Sequence, residues 1–154
     1  MPTFEHTIDV AAPVERVSQF MTDPTNWPRT HASISQLEIT ESSDDETRMD
    51  ATFRVLGIGN EGEMVQRILE PDAHVTVSFE SAGLSGTADY RYSESDGVTT
   101  IVEFVDYEFG DSLLDRIMEP VAKRYNERQF RHSLESSKEL IEAELAEEER
   151  MAAA

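Results

Sequence analysis

The chain has 154 residues, no cysteine, and 32 acidic against 13 basic side chains, for a net charge of −19. One domain with a real core fits that length, and disulfides, thiolate metal sites and cysteine nucleophiles are excluded. The charge opposes nucleic-acid phosphates and anionic lipid surfaces as partners; dispersed carboxylates beside only two lysines, Lys123 and Lys138, fit a protein from a salt-loving organism, where salt screens self-repulsion.

The opening residues MPTFEHTIDV lack a basic region and an apolar core, so no secretory leader is expected. No apolar run reaches membrane-spanning length, and a cytoplasmic location without membrane insertion is expected. Phe4–Val10 alternates, with Phe4, His6, Ile8 and Val10 on one side, as in a half-buried strand. Pro13 suits a first helical turn, and Val14, Val17, Phe20 and Met21 recur at helical spacing. Asp23-Pro24 breaks that helix. A second short piece runs from Asn26-Trp27-Pro28 to about His31.

Strands are then predicted over Ile34–Thr40, Thr47–Leu56, Glu61–Leu69, His74–Ser81, Gly86–Ser93 and Thr99–Phe109. The turns fall at Ser42–Asp45, Gly57–Asn60, Glu70–Ala73, Gly83 and Ser95–Gly97. Regular hairpin turns favour an antiparallel meander, and a twisted sheet of about seven strands curls.

Ser112–Arg150 is rich in good helix formers, with Asp111 or Ser112 as cap. Such a helix needs a large apolar partner, which the concave face of the sheet supplies. It carries two apolar stripes, Leu114, Ile117, Met118, Val121 and Tyr125, then Phe130, Leu134, Ile141 and Leu145, on nearly opposite sides. Pro120 lies between, so a lead-in helix to about Met118 and a main helix from about Glu119 are expected. Either the segments pack on different neighbours, or the main helix turns Lys123, Asn126 and Phe130 toward an interior space.

Ile8-Asp9-Val10-Ala11-Ala12-Pro13-Val14-Glu15-Arg16-Val17, then Phe20, Asp23-Pro24 and Asn26-Trp27-Pro28, resemble the opening of START-like (SRPBCC) helix-grip domains, in particular polyketide cyclase/dehydrase-like members. The turn at Gly97–Thr100 and the proline-containing terminal helix also fit. The resemblance covers nearly the whole chain; with the charge balance it points to a halophilic archaeon as source. It implies an α+β helix-grip fold, a curved antiparallel sheet of about seven strands around a long C-terminal helix, with two short helices after the first strand. Residues 1–146 would form a single ligand-binding domain and 147–154 a frayed acidic and alanine tail.

It also implies a cavity between sheet and helix. Its candidate ligand-binding residues are Phe20, Trp27, Met49, Phe53, Met64, Phe79, Tyr90, Tyr92, Tyr107, Asn126 and Phe130, each of which also suits an ordinary core. Two tyrosines on one face, Tyr90 and Tyr92, mark a polar spot in an apolar wall. Glu103 is the one weak catalytic candidate: facing inward with Ile101, Val105 and Tyr107 it would be a general acid or base. The plainer expectation places it in water on the convex face.

No metal or cofactor is expected. The histidines His6, His31, His74 and His132 lack ligand spacing, and His31 is expected at the surface, with the cavity mouth as its alternative. Gly57-x-Gly59 precedes a strand and is no phosphate loop. No GxSxG elbow exists, and Glu142–Glu149 lacks calcium-loop spacing. Binding of a small hydrophobic ligand (lipid, isoprenoid or polyketide-like) is therefore expected, rather than catalysis. A cyclase or dehydratase using the same cavity and a protein-interaction module are the alternatives.

Overall fold

Seven alternating runs pair into one antiparallel sheet, and the helix-forming C-terminus lies across it. The structure, a computed structural model, describes residues 3–55, 58–81, 84–110 and 113–153, and the side chains of all of these except 55, 58, 113–116 and 118. The elements are β1 (Thr3–Val10), α1 (Val14–Met21), a 3-10 turn (Pro24–Asn26), α2 (Trp27–Thr30), β2 (Ile34–Ser42), β3 (Glu46–Val55), β4 (Ile58–Glu70), β5 (His74–Ser81), β6 (Leu84–Ser95), β7 (Val98–Phe109) and α3 (Leu113–Ala153). The sheet order is β1-β7-β6-β5-β4-β3-β2, a meander from β2 to β7 with β1 added beside β7. This is the helix-grip fold.

Local chemistry explains the joints. Asp23 caps the 3-10 turn by accepting from the Thr25 amide at 3.0 Å, and Pro24 needs no amide partner at its first position. The Trp27 indole donates to the Met21 carbonyl at 2.9 Å, and the Asn26 amide to the Phe20 carbonyl at 3.1 Å. The loop thus closes the carbonyl end of α1 and turns Trp27 inward. Asp96 and Gly97 both take positive φ, 54° and 79°, in a two-residue hairpin between Ser95 and Val98, the backbone such loops favour.

Three expectations are corrected. β4 starts at Ile58, not Glu61: Gly59 and Asn60 pair with Arg54 and Phe53, so their backbone groups join the ladder instead of a wide loop. Second, α3 runs unbroken through Pro120. Pro120 is exposed, and a carbonyl freed on that side can bond water, so one lost hydrogen bond does not stop the helix. Third, Ile117 and Val121 of the first apolar stripe do not face the core; they are 64% and 52% exposed. The inward face after Pro120 is Ala122, Asn126, Phe130, Leu134, Ser137 and Ile141, while Lys123 points to solvent. The turn position Gly57, the turn at Gly83, the caps Asp111 and Ser112, and the side chains of Leu114 and Met118 lie outside the described residues.

The two halves of α3 do different work. Leu134 and Ile141 pack with Val17, Phe20, Tyr92 and Ile101, while Phe130 packs on a second cluster with Phe4, Phe79 and Tyr107. The C-terminal half is also tied down by polar groups. Glu142 accepts from the Ala11 amide and from Lys138, each at 2.8 Å, and these bonds hold its carboxyl below the usual range. Arg16 meets Glu148 through two nitrogens, at 2.5 and 2.9 Å.

The register also sets an unfavourable row on the convex face. Glu38, Asp50, Glu63 and Glu80 are consecutive cross-strand neighbours on β2 to β5, all exposed. Among the described residues no cation pairs with them. Directly opposed like charges destabilise a sheet by roughly 0.2–1 kcal/mol per pair, and salt screens them. Stability to urea is therefore expected to rise by about 1–2 kcal/mol between 0.1 M and 1 M KCl. A Glu63→Gln variant should gain less from salt than wild type; an equal or larger gain would remove this row as the cause.

Candidate functional site

The inner face of the sheet and α3 do not meet everywhere. Between them lies a cavity of about 90 Å³. Its sheet wall is built in register: Met64, Phe79, Gly86 and Tyr107 form one cross-strand row, and Gln66, Val77 and Ala88 the next. Gly86 has to be glycine, because a Cβ there would sit 2.6 Å from the Tyr107 Cβ and 2.5 Å from the Asp106 carbonyl. Its absence leaves space for Tyr107. From α3 come Asn126, Phe130, Ser133 and Ser137; from α1 and α2 come Phe20, Met21, Trp27 and Thr30.

Of the residues expected at a ligand site, Phe20, Trp27, Phe53, Met64 and Phe79 line this cavity, as do Tyr90, Tyr92, Tyr107, Asn126 and Phe130. Met49 does not. It is the cross-strand partner of Met64 and is buried in the core cluster.

Polar side chains outside the expected set also line the wall, Thr30, Ser33, Ser133 and Ser137 among them, and two of them carry a ring or an amide. His31 lines the cavity, correcting its expected surface position. Its ring stands edge-on to Phe130, with centroids 4.9 Å apart, and its Nδ1 has no partner. Desolvation, with a smaller contribution from His132, lowers its pKa to about 4, so near neutral pH it is an uncharged imidazole. The second is Gln66. Its side-chain amide donates to the Thr22 carbonyl at 3.0 Å, while its Oε1 is buried without a partner. The signal for Gln66 was legible, since it shares strand parity with Met64 and Ile68. His31 carried no comparable periodic signal.

Glu103 overturns the expectation of a convex position. It is 0% exposed, because β7 keeps one parity from Ile101 through Val105 and Tyr107, and Glu103 falls on it. Its neighbours in register are His6 on β1 and Tyr90 on β6. The Glu103 Oε1 lies 3.5 Å from His6 Nδ1, and neither carboxyl oxygen has a close hydrogen-bond partner. Burial raises its pKa above the ordinary value of 4.5, while His6 and the Tyr90 hydroxyl pull the other way. Glu103 itself is not part of the cavity wall, whereas Tyr90, its register neighbour, and Tyr92 are. Burial, reinforced by Glu103, pushes both phenols above the usual tyrosine range. Tyr107 rises to about 12 through burial and the nearby Glu127 and Glu119. All three hydroxyls thus keep their protons at physiological pH.

The wall is therefore apolar with a few uncharged polar groups, an arrangement that suits a hydrophobic molecule bearing an oxygen or two. The family model for polyketide cyclase / dehydrase and lipid transport matches residues 1–142. The chain belongs to this family. No curated protein sequence matches it significantly. Among solved structures it resembles the Zhui aromatase/cyclase of a Streptomyces species at 17% identity, with TM-score 0.83, 94% of this chain and 95% of that one covered. A Thermus thermophilus protein matches at 14% identity and TM-score 0.81, over 92% and 98% of the two chains. Norcoclaurine synthase from Thalictrum flavum matches at 14% identity and TM-score 0.66, over 91% and 86%. At such identities these likenesses establish the shared fold, not an activity. Among the described residues, no helix of this polyketide cyclase/dehydrase family member is long and apolar enough to cross a membrane.

Proposed function

We propose that this protein binds a small hydrophobic molecule, a lipid, isoprenoid or polyketide-like compound, between its sheet and α3. Residues 1–146 would form the binding unit, and the charge balance points to a salt-rich working medium. The observation that carries the reading is the cavity itself: apolar side chains surround it, and its polar groups are neutral hydroxyls, amides and one imidazole. Apolar burial would supply affinity at roughly 25 cal/mol per Å², and Tyr90 or Asn126 would orient the ligand. A drug-sized ligand needs roughly 300–1,000 Å³. Uptake therefore requires the walls to part beyond the volume of about 90 Å³.

The test is titration with indanone, a bicyclic ketone, read by the fluorescence of Trp27, the single tryptophan and a cavity residue. Saturable binding is expected. At about pH 4.5, Tyr90→Phe should weaken it about three- to tenfold, one net hydrogen bond of roughly 1 kcal/mol, with no loss of folding. No saturable binding of indanone or of its parent hydrocarbon would overturn the reading.

A second reading, a cyclase or dehydratase, is favoured by one feature: a buried carboxyl with no close partner, opposed in register to a cavity phenol. Turnover of a reactive polyketone that is lost in both Glu103→Gln and Tyr90→Phe would support it.

A further inference from the structure

We propose that Glu103 sets the hydrogen-bonding sense of the Tyr90 hydroxyl, so that the cavity prefers a carbonyl-bearing ligand when Glu103 is protonated and loses that preference when it ionises. The proposal rests on the ligand-binding reading above and adds the chemistry that selects the ligand.

Three adjacent strands place His6, Glu103 and Tyr90 in one cross-strand row, where opposed side chains start about 5 Å apart. Only Tyr90 of the three lines the cavity. Glu103, its register neighbour, is 1% exposed in its side chain, with both oxygens lacking close partners. The charged and titratable groups around it are few. From β1 comes His6; from β6 come Tyr90 and Tyr92. Beyond His6, on α3, Glu127 lies 3.9 Å and Arg131 3.4 Å from its Nε2. No cation is within ion-pair distance of Glu103 among the described residues, apart from His6 when it is protonated.

The selectivity follows from donor counting. A phenol has one hydrogen to give and lone pairs to accept with; a carboxylate only accepts, whereas a carboxylic acid also donates. Ionised Glu103 draws the Tyr90 hydrogen toward itself, and the phenol lone pairs are left for the cavity. A ligand hydroxyl can donate to them; a ligand carbonyl cannot. Protonated Glu103 can donate to the Tyr90 oxygen instead, which frees the phenol hydrogen to point at a ligand carbonyl. Because burial raises the Glu103 pKa above its ordinary value of 4.5, the exchange falls at a higher pH than for an exposed glutamate. An interior carboxyl that would otherwise merely destabilise the fold thereby acquires a role.

The experiment uses three matched probes: indane, indanone and indanol. Affinities are measured for the full chain in 1 M KCl, to screen surface charge, from about pH 4.5 to about pH 8.5. In wild type the indanone-to-indanol affinity ratio is expected to fall about five- to tenfold across this range, while indane affinity stays constant. In Tyr90→Phe and in Glu103→Gln the ratio should be flat with pH. A flat ratio in wild type with indane still bound would overturn the proposal and leave the cavity reading standing. So would a pH-dependent ratio that survives Glu103→Gln or Tyr90→Phe. Failure of all three probes to bind would overturn the cavity reading, and this proposal with it.

Discussion

Ala88→Leu is expected to weaken an apolar ligand about fiftyfold while leaving the fold at least as stable as wild type. Ala88 is 2% exposed, lies on the cavity wall and sits in register between Val77 and Val105. The three added carbons enter a space of about 90 Å³ that the ligand would otherwise occupy. Each buried methylene is worth about 0.8 kcal/mol, so three displaced from the ligand forfeit roughly 2.4 kcal/mol, or about fiftyfold. The same carbons fill a void in the empty protein, a change that commonly stabilises by about 0.5–2 kcal/mol. Indane titration and urea unfolding read the two effects together. Unchanged affinity in a folded variant would put the ligand elsewhere.

Acidification should expose His31. Its folded pKa, about 4, lies below the free value of 6.5. The unfolded chain therefore takes up a proton first as pH falls, and stability present above pH 6.5 is lost toward pH 4. At about 1.4 kcal/mol per pH unit the loss is about 3 kcal/mol. His31→Leu removes it, so the difference in unfolding free energy between variant and wild type should grow by about 3 kcal/mol between pH 6.5 and pH 4. Glu103 acts with the opposite sign. Its folded pKa is raised, so its contribution is full below 4.5 and lost as pH rises through the folded value. A constant difference between His31→Leu and wild type would show His31 titrating in water, and would take it off the cavity wall.

The strand pattern was legible because one side of each strand is buried. The alternation of Phe4 to Val10, of Met49 to Phe53 and of His74 to Ser81 registers that burial directly, and a one-residue slip would invert it. The paired turn residues Asp96-Gly97 named their hairpin through positive φ. The opening motif through Asn26-Trp27-Pro28 foretold the helix grip, and the hydrogen bonds of Trp27 and Asn26 back to the end of α1 give its physical basis. What failed was whatever depended on tertiary neighbours. Pro120 looked like a break because local propensity ignores that water can serve the freed carbonyl. Ile117 and Val121 looked like core because composition does not say which helix face meets the sheet. Glu103 looked solvated because a charged residue usually is; only the continuous parity of β7 turns it inward. Met49 and Met64 were indistinguishable in sequence, yet one packs in the core and the other reaches the cavity, because the curl of the sheet decides which inward residues α3 leaves uncovered. Asn126 was chosen from spacing on the helix, and His31 was misplaced because a short irregular segment has no period to read.

The central claim is that the space between sheet and α3 holds a small hydrophobic molecule. The most direct measurement is mass spectrometry of the organic extract of denatured protein, purified in molar salt, compared between wild type and Ala88→Leu. The prediction is a small, oxygen-bearing hydrophobic compound that is stoichiometric in wild type and absent from the variant. Extracts that do not differ, together with no uptake of indane or indanone by wild type, would contradict it.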